Sequence, residues 1–187
     1  MRRAIFFDRD GTLNVDAGYI TSPEKIELAP DAAAGAALLA GAGYALLITS
    51  NQSAIARGML TEAQADRIDQ RLVALLRDAG VSIEAVYRCP HLPAGSVEAF
   101  AIECDCRKPK PGLITRAARE RGIDLESSWV IGDRVRDIQA GLAAGCRTIA
   151  VKTIGPAHAT ERMEFPAGTM HAHSLLDAAR IILASPR

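Results

Sequence analysis

Short apolar runs that stop abruptly at polar residues recur along this chain, and helical segments separate them. Ala4–Phe7 stops at Asp8, Tyr44–Thr49 stops at Ser50-Asn51-Gln52-Ser53, and Trp129–Ile131 stops at Gly132-Asp133-Arg134. A run this short, apolar at successive positions and bounded by turn residues, fits a strand buried on both faces. Such strands, joined through helices, form a parallel sheet with helices on both faces. Ligands bind outside the carboxyl ends of strands in these sheets. The polar stops are therefore the first places to look for chemistry.

Taken in order, the spacing predicts a strand at Ala4–Phe7, then a helix at about Ala32–Ala42, opened by Pro30-Asp31 and ended by Gly43. A strand follows at Tyr44–Thr49. Thr61-Glu62-Ala63-Gln64 has the capping-box pattern. It starts a helix to about Asp78, with Ile68, Leu72, Leu75 and Leu76 at helical spacing and Gly80 closing it. Next come a strand at about Ala85–Arg88, a loop from Cys89 to Pro111, a helix at Leu113–Arg121 and a strand at Trp129–Ile131. A helix at Val135–Ala144, a strand at Thr148–Val151 and a helix at Leu175–Ala184, capped by Ser174, complete the series. Residues 153–173 read as irregular. The expectation is an α/β, Rossmann-like parallel sheet in one domain, residues 1–187.

Lys+Arg 22 balances Asp+Glu 22, which gives no electrostatic footprint for nucleic acid or an anionic membrane and disfavours both as partners. No apolar run is long enough to span a bilayer, and the first is too short for a signal sequence. These features predict a cytoplasmic protein. Three of the four cysteines crowd into residues 89–106, which in a reducing compartment reads as metal binding before disulfide.

Asp8 and Asp10 stand at alternate positions and can face one pocket while the backbone stays extended. Gly11 lets the chain turn there. Two such carboxylates resist joint ionisation unless a cation sits between them, and Mg²⁺ prefers oxygen ligands. Alone, this stretch reads equally as a polar turn. Ser50 adds a hydroxyl, Lys108 a compact cation and Asp133 a third carboxylate, and together these suit a phosphoryl group. Asp137 reads either as a partner that holds Lys108 or a water, or as an acid favoured by a helix N-terminus. A second set is Cys89-Pro90-His91, twelve residues, then Cys104-Asp105-Cys106. Three thiolates and an imidazole fit a closed tetrahedral Zn²⁺ site, which would order a loop that leads into Arg107-Lys108. Cys146 reads as a buried apolar residue, Trp129 as strand core, and His171 with His173 as part of a surface loop.

Asp8-Arg9-Asp10-Gly11-Thr12, Ser50-Asn51, Lys108-Pro109 and Gly132-Asp133-Arg134-x-x-Asp137, in that order, resemble the motifs of haloacid dehalogenase superfamily phosphatases over residues 4 to about 152. The resemblance implies Asp8 as a nucleophile that forms an aspartyl-phosphate. It implies Asp10 as general acid and then general base, with Ser50 and Lys108 completing the catalytic set. Mg²⁺ would be held by Asp8, the backbone carbonyl of Asp10, and Asp133. No large apolar insertion follows the acidic turn or the second strand, so the expected fold is capless, with the zinc loop, residues 89–106, helping to shape the pocket.

That loop narrows the resemblance. Cys-Pro-His followed by Cys-Asp-Cys-Arg-Lys-Pro-Lys-Pro-Gly, with Gly18-Tyr19-Ile20 and Asn51-Gln52-Ser53-Ala54-Ile55-Ala56-Arg57-Gly58, is similar to the D-glycero-D-manno-heptose 1,7-bisphosphate 7-phosphatase family. The similarity implies a sugar phosphate substrate met in nucleotide-activated heptose biosynthesis. It implies substrate contacts from Asp16, Ala17, Gly18 and Tyr19, from Ser50, Asn51, Gln52 and Ser53, and from Arg107, Lys108 and Arg134. Arg107 would meet the distal phosphate or the sugar. Ala54 stands where glycine is expected, and Arg134 where some members carry lysine. The anomer at carbon 1 is not specified. A balanced charge is compatible with a monomer. The rival readings are a histidinol-phosphate phosphatase, which shares the zinc loop, and a non-catalytic zinc-stabilised binding module. A phosphotransferase or mutase would need a cap to exclude water.

Overall fold

A computed structural model describes residues 2–157 and 163–185. Strands β1 (Ala4–Phe7), β2 (Ala45–Asn51), β3 (Ala85–Cys89), β4 (Trp129–Gly132), β5 (Arg147–Val151) and β6 (Met170–Ala172) form one sheet. Helices α1 (Ala32–Gly41), α2 (Glu62–Asp78), α3 (Gly112–Arg121), α4 (Val135–Ala143) and α5 (Leu175–Ala184) pack around it. The strand order is β3-β2-β1-β4-β5-β6, and every pairing is parallel. The chain winds outward from β1 to β3, returns to the middle for β4, and winds the other way. β1 and β4 therefore flank the switch point, where open parallel sheets form a crevice.

All four residues of β1 are buried, and successive side chains face opposite layers. Ile5, Phe7, Leu46, Ile48, Trp129 and Ile131 share a core with α1, α2 and α5. Ala4, Phe6, Ala45, Leu47 and Val130 share another with α3 and α4. A strand apolar on both faces has no stable place except between two helical layers. The caps follow the expected chemistry. The Thr61 hydroxyl accepts from Gln64 N (3.2 Å), and the Gln64 carboxamide accepts from Thr61 N (2.7 Å). The Ser174 hydroxyl accepts from Asp177 N (3.2 Å).

The segment expected to be irregular, 153–173, contains β6. Its residues Met170-His171-Ala172 are too short and too mixed to announce a strand; pairing of Ile149 with Met170 and Val151 with Ala172 makes it one. Residues 158–162 of that segment lie outside the described residues. β3 runs one residue further than expected, so Cys89 ends the strand and starts the cysteine loop. Between β1 and α1 a short 3-10 turn, Pro23–Lys25, and isolated bridges at Asn14 form, and residues 52–61 hold only turns, so among the described residues no cap domain covers the carboxyl ends of the strands. Among the described residues no helix is long and apolar enough to cross a membrane.

Candidate active site

Lys108, a hundred residues from Asp8 in sequence, ends in the buried floor at the switch point. Its ammonium lies 2.7 Å from Asp8 Oδ1 and 2.6 Å from Asp137 Oδ1, and donates to the Thr49 carbonyl (2.8 Å). Asn51, the last residue of β2, fixes the lysine backbone: its Oδ1 accepts from Lys108 N (3.0 Å) and its amide donates to Lys108 O (2.9 Å). Asp133 follows β4. Its carboxylate receives Thr12 Oγ1 (3.4 Å) and Thr153 Oγ1 (2.9 Å) and pairs with Arg134 Nε (3.1 Å). Gly11 passes against it at φ +84°, where an added Cβ would meet Asp133 Oδ2 at 2.5 Å. Both alternatives foreseen for Asp137 hold together. One oxygen pairs with Lys108, and the other accepts from Arg134 N (3.0 Å) at the start of α4.

Oxygens of Asp8, Asp133 and Asp137 lie within 4.8 Å of one another, all buried. Burial, then repulsion from Asp137, raises the proton affinity of Asp8 against the pull of Lys108 and Arg136. Asp133 is pushed up to about 7 by burial and by its acidic neighbours Asp8 and Asp137. Burial disfavours the Lys108 ammonium, but Asp137 and Asp8 outweigh it and raise its pKa. Three buried carboxylates set against Lys108 and Arg134 leave excess negative charge. A hard divalent cation is the species that such an oxygen set suits.

Asp10 behaves differently. Its carboxylate is turned to Arg9 Nε (3.1 Å) and Nη2 (2.9 Å), to Asn14 Nδ2 (3.0 Å) and to Gln52 Nε2 (2.8 Å). Burial pushes its pKa up, but the Arg9 guanidinium and these donors hold it below the usual carboxylate value. Gln52 also donates to Ser50 Oγ (2.8 Å), which links the acid to the hydroxyl.

A cleft of about 300 Å³ opens over Asp8 and Asp10. Ser50, Asn51, Gln52, Ser53, Gly18, Tyr19 and Arg107, named above for substrate contact, line it. Asp16 also borders it, but its carboxylate is occupied by Arg134 Nη2 (2.9 Å) and Gly18 N (3.0 Å). Ala17 is exposed and does not line the cleft. Arg134 is buried, bridging Asp16 and Asp133 beneath the loop rather than standing at the rim. Two lining residues were absent from the expected set, Arg57 and Arg136. Arg136 left a trace in the sequence: it is a cation in the first turn of α4, where the helix dipole disfavours one.

The cysteine loop closes on itself. Cys106 Sγ lies 3.2 Å from Cys89 Sγ, 3.3 Å from Cys104 Sγ and 3.4 Å from His91 Nδ1; Cys89 Sγ lies 3.6 Å from Cys104 Sγ and 3.8 Å from His91 Nδ1. A tetrahedron with ligands ~2.3 Å from its centre has edges of roughly 3.7 Å, so the four donors fit a zinc-type site. The His91 carbonyl accepts from Arg107 Nη1 (2.9 Å), and Val97 N donates to Ala56 O (2.9 Å). The loop is thereby tied both to an arginine of the cleft and to the turn that carries Arg57. Cys146 and Trp129 are buried as expected. His171 lies on β6 and meets Phe165 edge-on at 5.2 Å.

The HAD-hydrolase-like family model matches residues 105–178. D-glycero-beta-D-manno-heptose-1,7-bisphosphate 7-phosphatase of Yersinia pestis is 42% identical over 154 residues, 82% of this chain and 82% of that one. The chain belongs to this phosphatase family. The Photorhabdus laumondii enzyme of the same name is 36% identical over 179 residues, 96% of this chain and 94% of its own. Among solved structures, D,D-heptose 1.7-bisphosphate phosphatase from B. bronchiseptica, complexed with magnesium and phosphate, has TM-score 0.83 and 31% identity, covering 97% of this chain and 98% of that one. Membership makes the chain a phosphoric monoester hydrolase.

Proposed function

We propose that the chain removes the 7-phosphate of D-glycero-β-D-manno-heptose 1,7-bisphosphate through an aspartyl-phosphate on Asp8. The observation that carries the reading is the meeting of Asp8, Lys108 and Asp133 in one buried cluster under the cleft. The names of the relatives support the substrate and its β anomer over histidinol phosphate. Arg57, Arg107 and Arg136 around the cleft suit a substrate with a second phosphate.

An Asp8 carboxylate oxygen attacks phosphorus. The bond from phosphorus to the sugar oxygen breaks, the electron pair stays on that oxygen, and Asp10 gives it a proton. Asp10 then takes a proton from water, whose oxygen attacks phosphorus and releases inorganic phosphate from Asp8. Arg9 favours the ionised form of Asp10; the negative charge of an entering phosphate monoester raises its affinity for the proton it must deliver. Lys108 and the Ser50 hydroxyl orient the phosphoryl oxygens. Mg²⁺, held by Asp8, Asp133 and the main-chain carbonyl of Asp10, would supply the positive charge that offsets the negative charge on those oxygens. Zn²⁺ on Cys89, His91, Cys104 and Cys106 would fix the loop that seats Arg107. The same reading makes the protein a one-domain monomer of the cytoplasm, in keeping with its balanced charge.

The test is steady-state phosphate release from both heptose bisphosphate anomers and from histidinol phosphate. The β anomer is expected to give the highest kcat/KM, and Asp8→Asn to abolish turnover with the fold retained. Faster turnover of histidinol phosphate, or an active Asp8→Asn, refutes the assignment.

A further inference from the structure

We infer that Asp69, on α2, is a positioning residue for Asp10: it holds the Arg9 guanidinium that in turn holds the Asp10 carboxylate. The inference rests on the proposed role of Asp10 as acid and base.

Arg9 sits between the two acids of the opening motif, yet its side chain is only 2% exposed. One edge of its fork, Nε and Nη2, spans the two Asp10 oxygens at 3.1 and 2.9 Å. The remaining terminal nitrogen, Nη1, donates to Asp69 Oδ1 at 2.9 Å. The second Asp69 oxygen accepts from Arg88 Nη1, on β3, at 2.6 Å, and Arg88 Nη2 reaches Asp66 at 2.7 Å. Charge thus alternates from the cleft to the surface: Asp10, Arg9, Asp69, Arg88, Asp66. A planar guanidinium gripped on both sides cannot rotate without breaking a buried charge-assisted bond. The Asp10 carboxylate is therefore held in one plane before substrate arrives.

Asp69 lies on the inward stripe of α2 with Ala65, Ile68, Leu72 and Leu76. Those four apolar residues already bury the helix against the sheet, so attachment of α2 does not require a charge at this position. Simple packing would be served by a leucine. An acid there needs a buried counter-charge, and Arg9 together with Arg88 supplies it.

A purely structural ion pair and a positioning one differ in what their loss does to different leaving groups. Asp10 must protonate a departing sugar alkoxide. The 4-nitrophenolate of 4-nitrophenyl phosphate leaves without that help. Because kcat/KM reports the steps up to phosphoryl transfer onto Asp8, the ratio of kcat/KM for the heptose bisphosphate to that for 4-nitrophenyl phosphate isolates the proton donated in that half-reaction. Proton transfer by a placed side chain contributes roughly 10²–10⁴-fold, so partial loss of placement should lower the ratio about tenfold in Asp69→Asn. Arg88→Gln, which leaves the Asp69–Arg9 bond in place but frees its far side, should lower the ratio less. A folded Asp69→Asn in which both substrates fall equally, or neither falls, overturns the inference. If Asp69→Asn fails to fold, Arg88→Gln decides alone: a selective fall supports it and a parallel or absent fall overturns it. A wild-type protein inactive on both substrates would overturn the phosphatase reading together with this inference, whereas an active one with an unchanged ratio would overturn this inference alone.

Discussion

Replacing Gly11 by alanine should damage stability and metal response together. The residue lies at φ +84°, a conformation that costs an L-amino acid roughly 1–2 kcal/mol. The new Cβ would also lie 2.5 Å from Asp133 Oδ2 and 2.8 Å from its Cγ. Ordinary contact begins near 3.4 Å, so the carboxylate must retreat by about 1 Å or the turn must open, at roughly 1–3 kcal/mol for overpacking. The sum is about 2–5 kcal/mol, or roughly 5–15 °C in Tm for a chain of this size. A misplacement of ~1 Å in a catalytic group can lower turnover ~100-fold. Gly43→Ala is the control: Gly43 has φ +85° with nothing within 4 Å of its Cβ, so it should show the backbone penalty alone and normal activity. Thermal unfolding of both variants and Mg²⁺ titration of phosphate release decide the matter. Equal Tm losses in the two, with an unchanged Mg²⁺ activation constant in Gly11→Ala, would refute the claimed contact with Asp133.

Two further outcomes follow from the buried charges and the loop. Asp133 is pushed from 3.8 to about 7 in the metal-free protein, so between about pH 4 and 7 the folded state keeps a proton that the unfolded chain has lost; that stability is present at low pH and disappears as pH rises through 7. The downward shift of Asp10 acts below this window. A divalent cation favours the ionised form, so the gain in Tm on adding Mg²⁺ should be larger at about pH 8 than at about pH 5.5; an equal gain contradicts the argument. Cys106→Ser should bring zinc content below one ion per chain, lower Tm, and raise KM more than it lowers kcat, because Arg107 loses the seat made by the His91 carbonyl. Metal analysis beside steady-state kinetics checks this, and unchanged zinc content would count against the four-ligand set.

Local signals carried the fold a long way. Among the described residues, five of the six strands and all five α-helices announced themselves through apolar runs, caps and glycine stops, because those signals belong to consecutive residues. β6 did not, since its strand character comes from a neighbour rather than from Met170-His171-Ala172. Asp8, Lys108 and Asp133 were legible as chemistry at strand ends. What each partner does was not. Asp16 was expected to face the substrate, yet Arg134, more than a hundred residues away, takes its carboxylate. The same blindness hid the Arg9–Asp69 pair. One trace was present: Asp69 falls on the apolar stripe of α2, and a charge on an inward stripe demands a partner that the sequence does not name.

The cysteine loop has a consequence for how such proteins diversify. Its ends, Cys89 and Cys106, lie with their sulfurs 3.2 Å apart, one at the tip of β3 and the other two residues before the lysine that touches the nucleophile. A stretch clamped at its own neck can grow, shrink or change composition without moving the sheet beneath it. Changes there reach the cleft through Arg107, which the His91 carbonyl holds, while the attacking carboxylate and its lysine stay where they are. The clasp separates the part of the molecule free to vary from the part that is not.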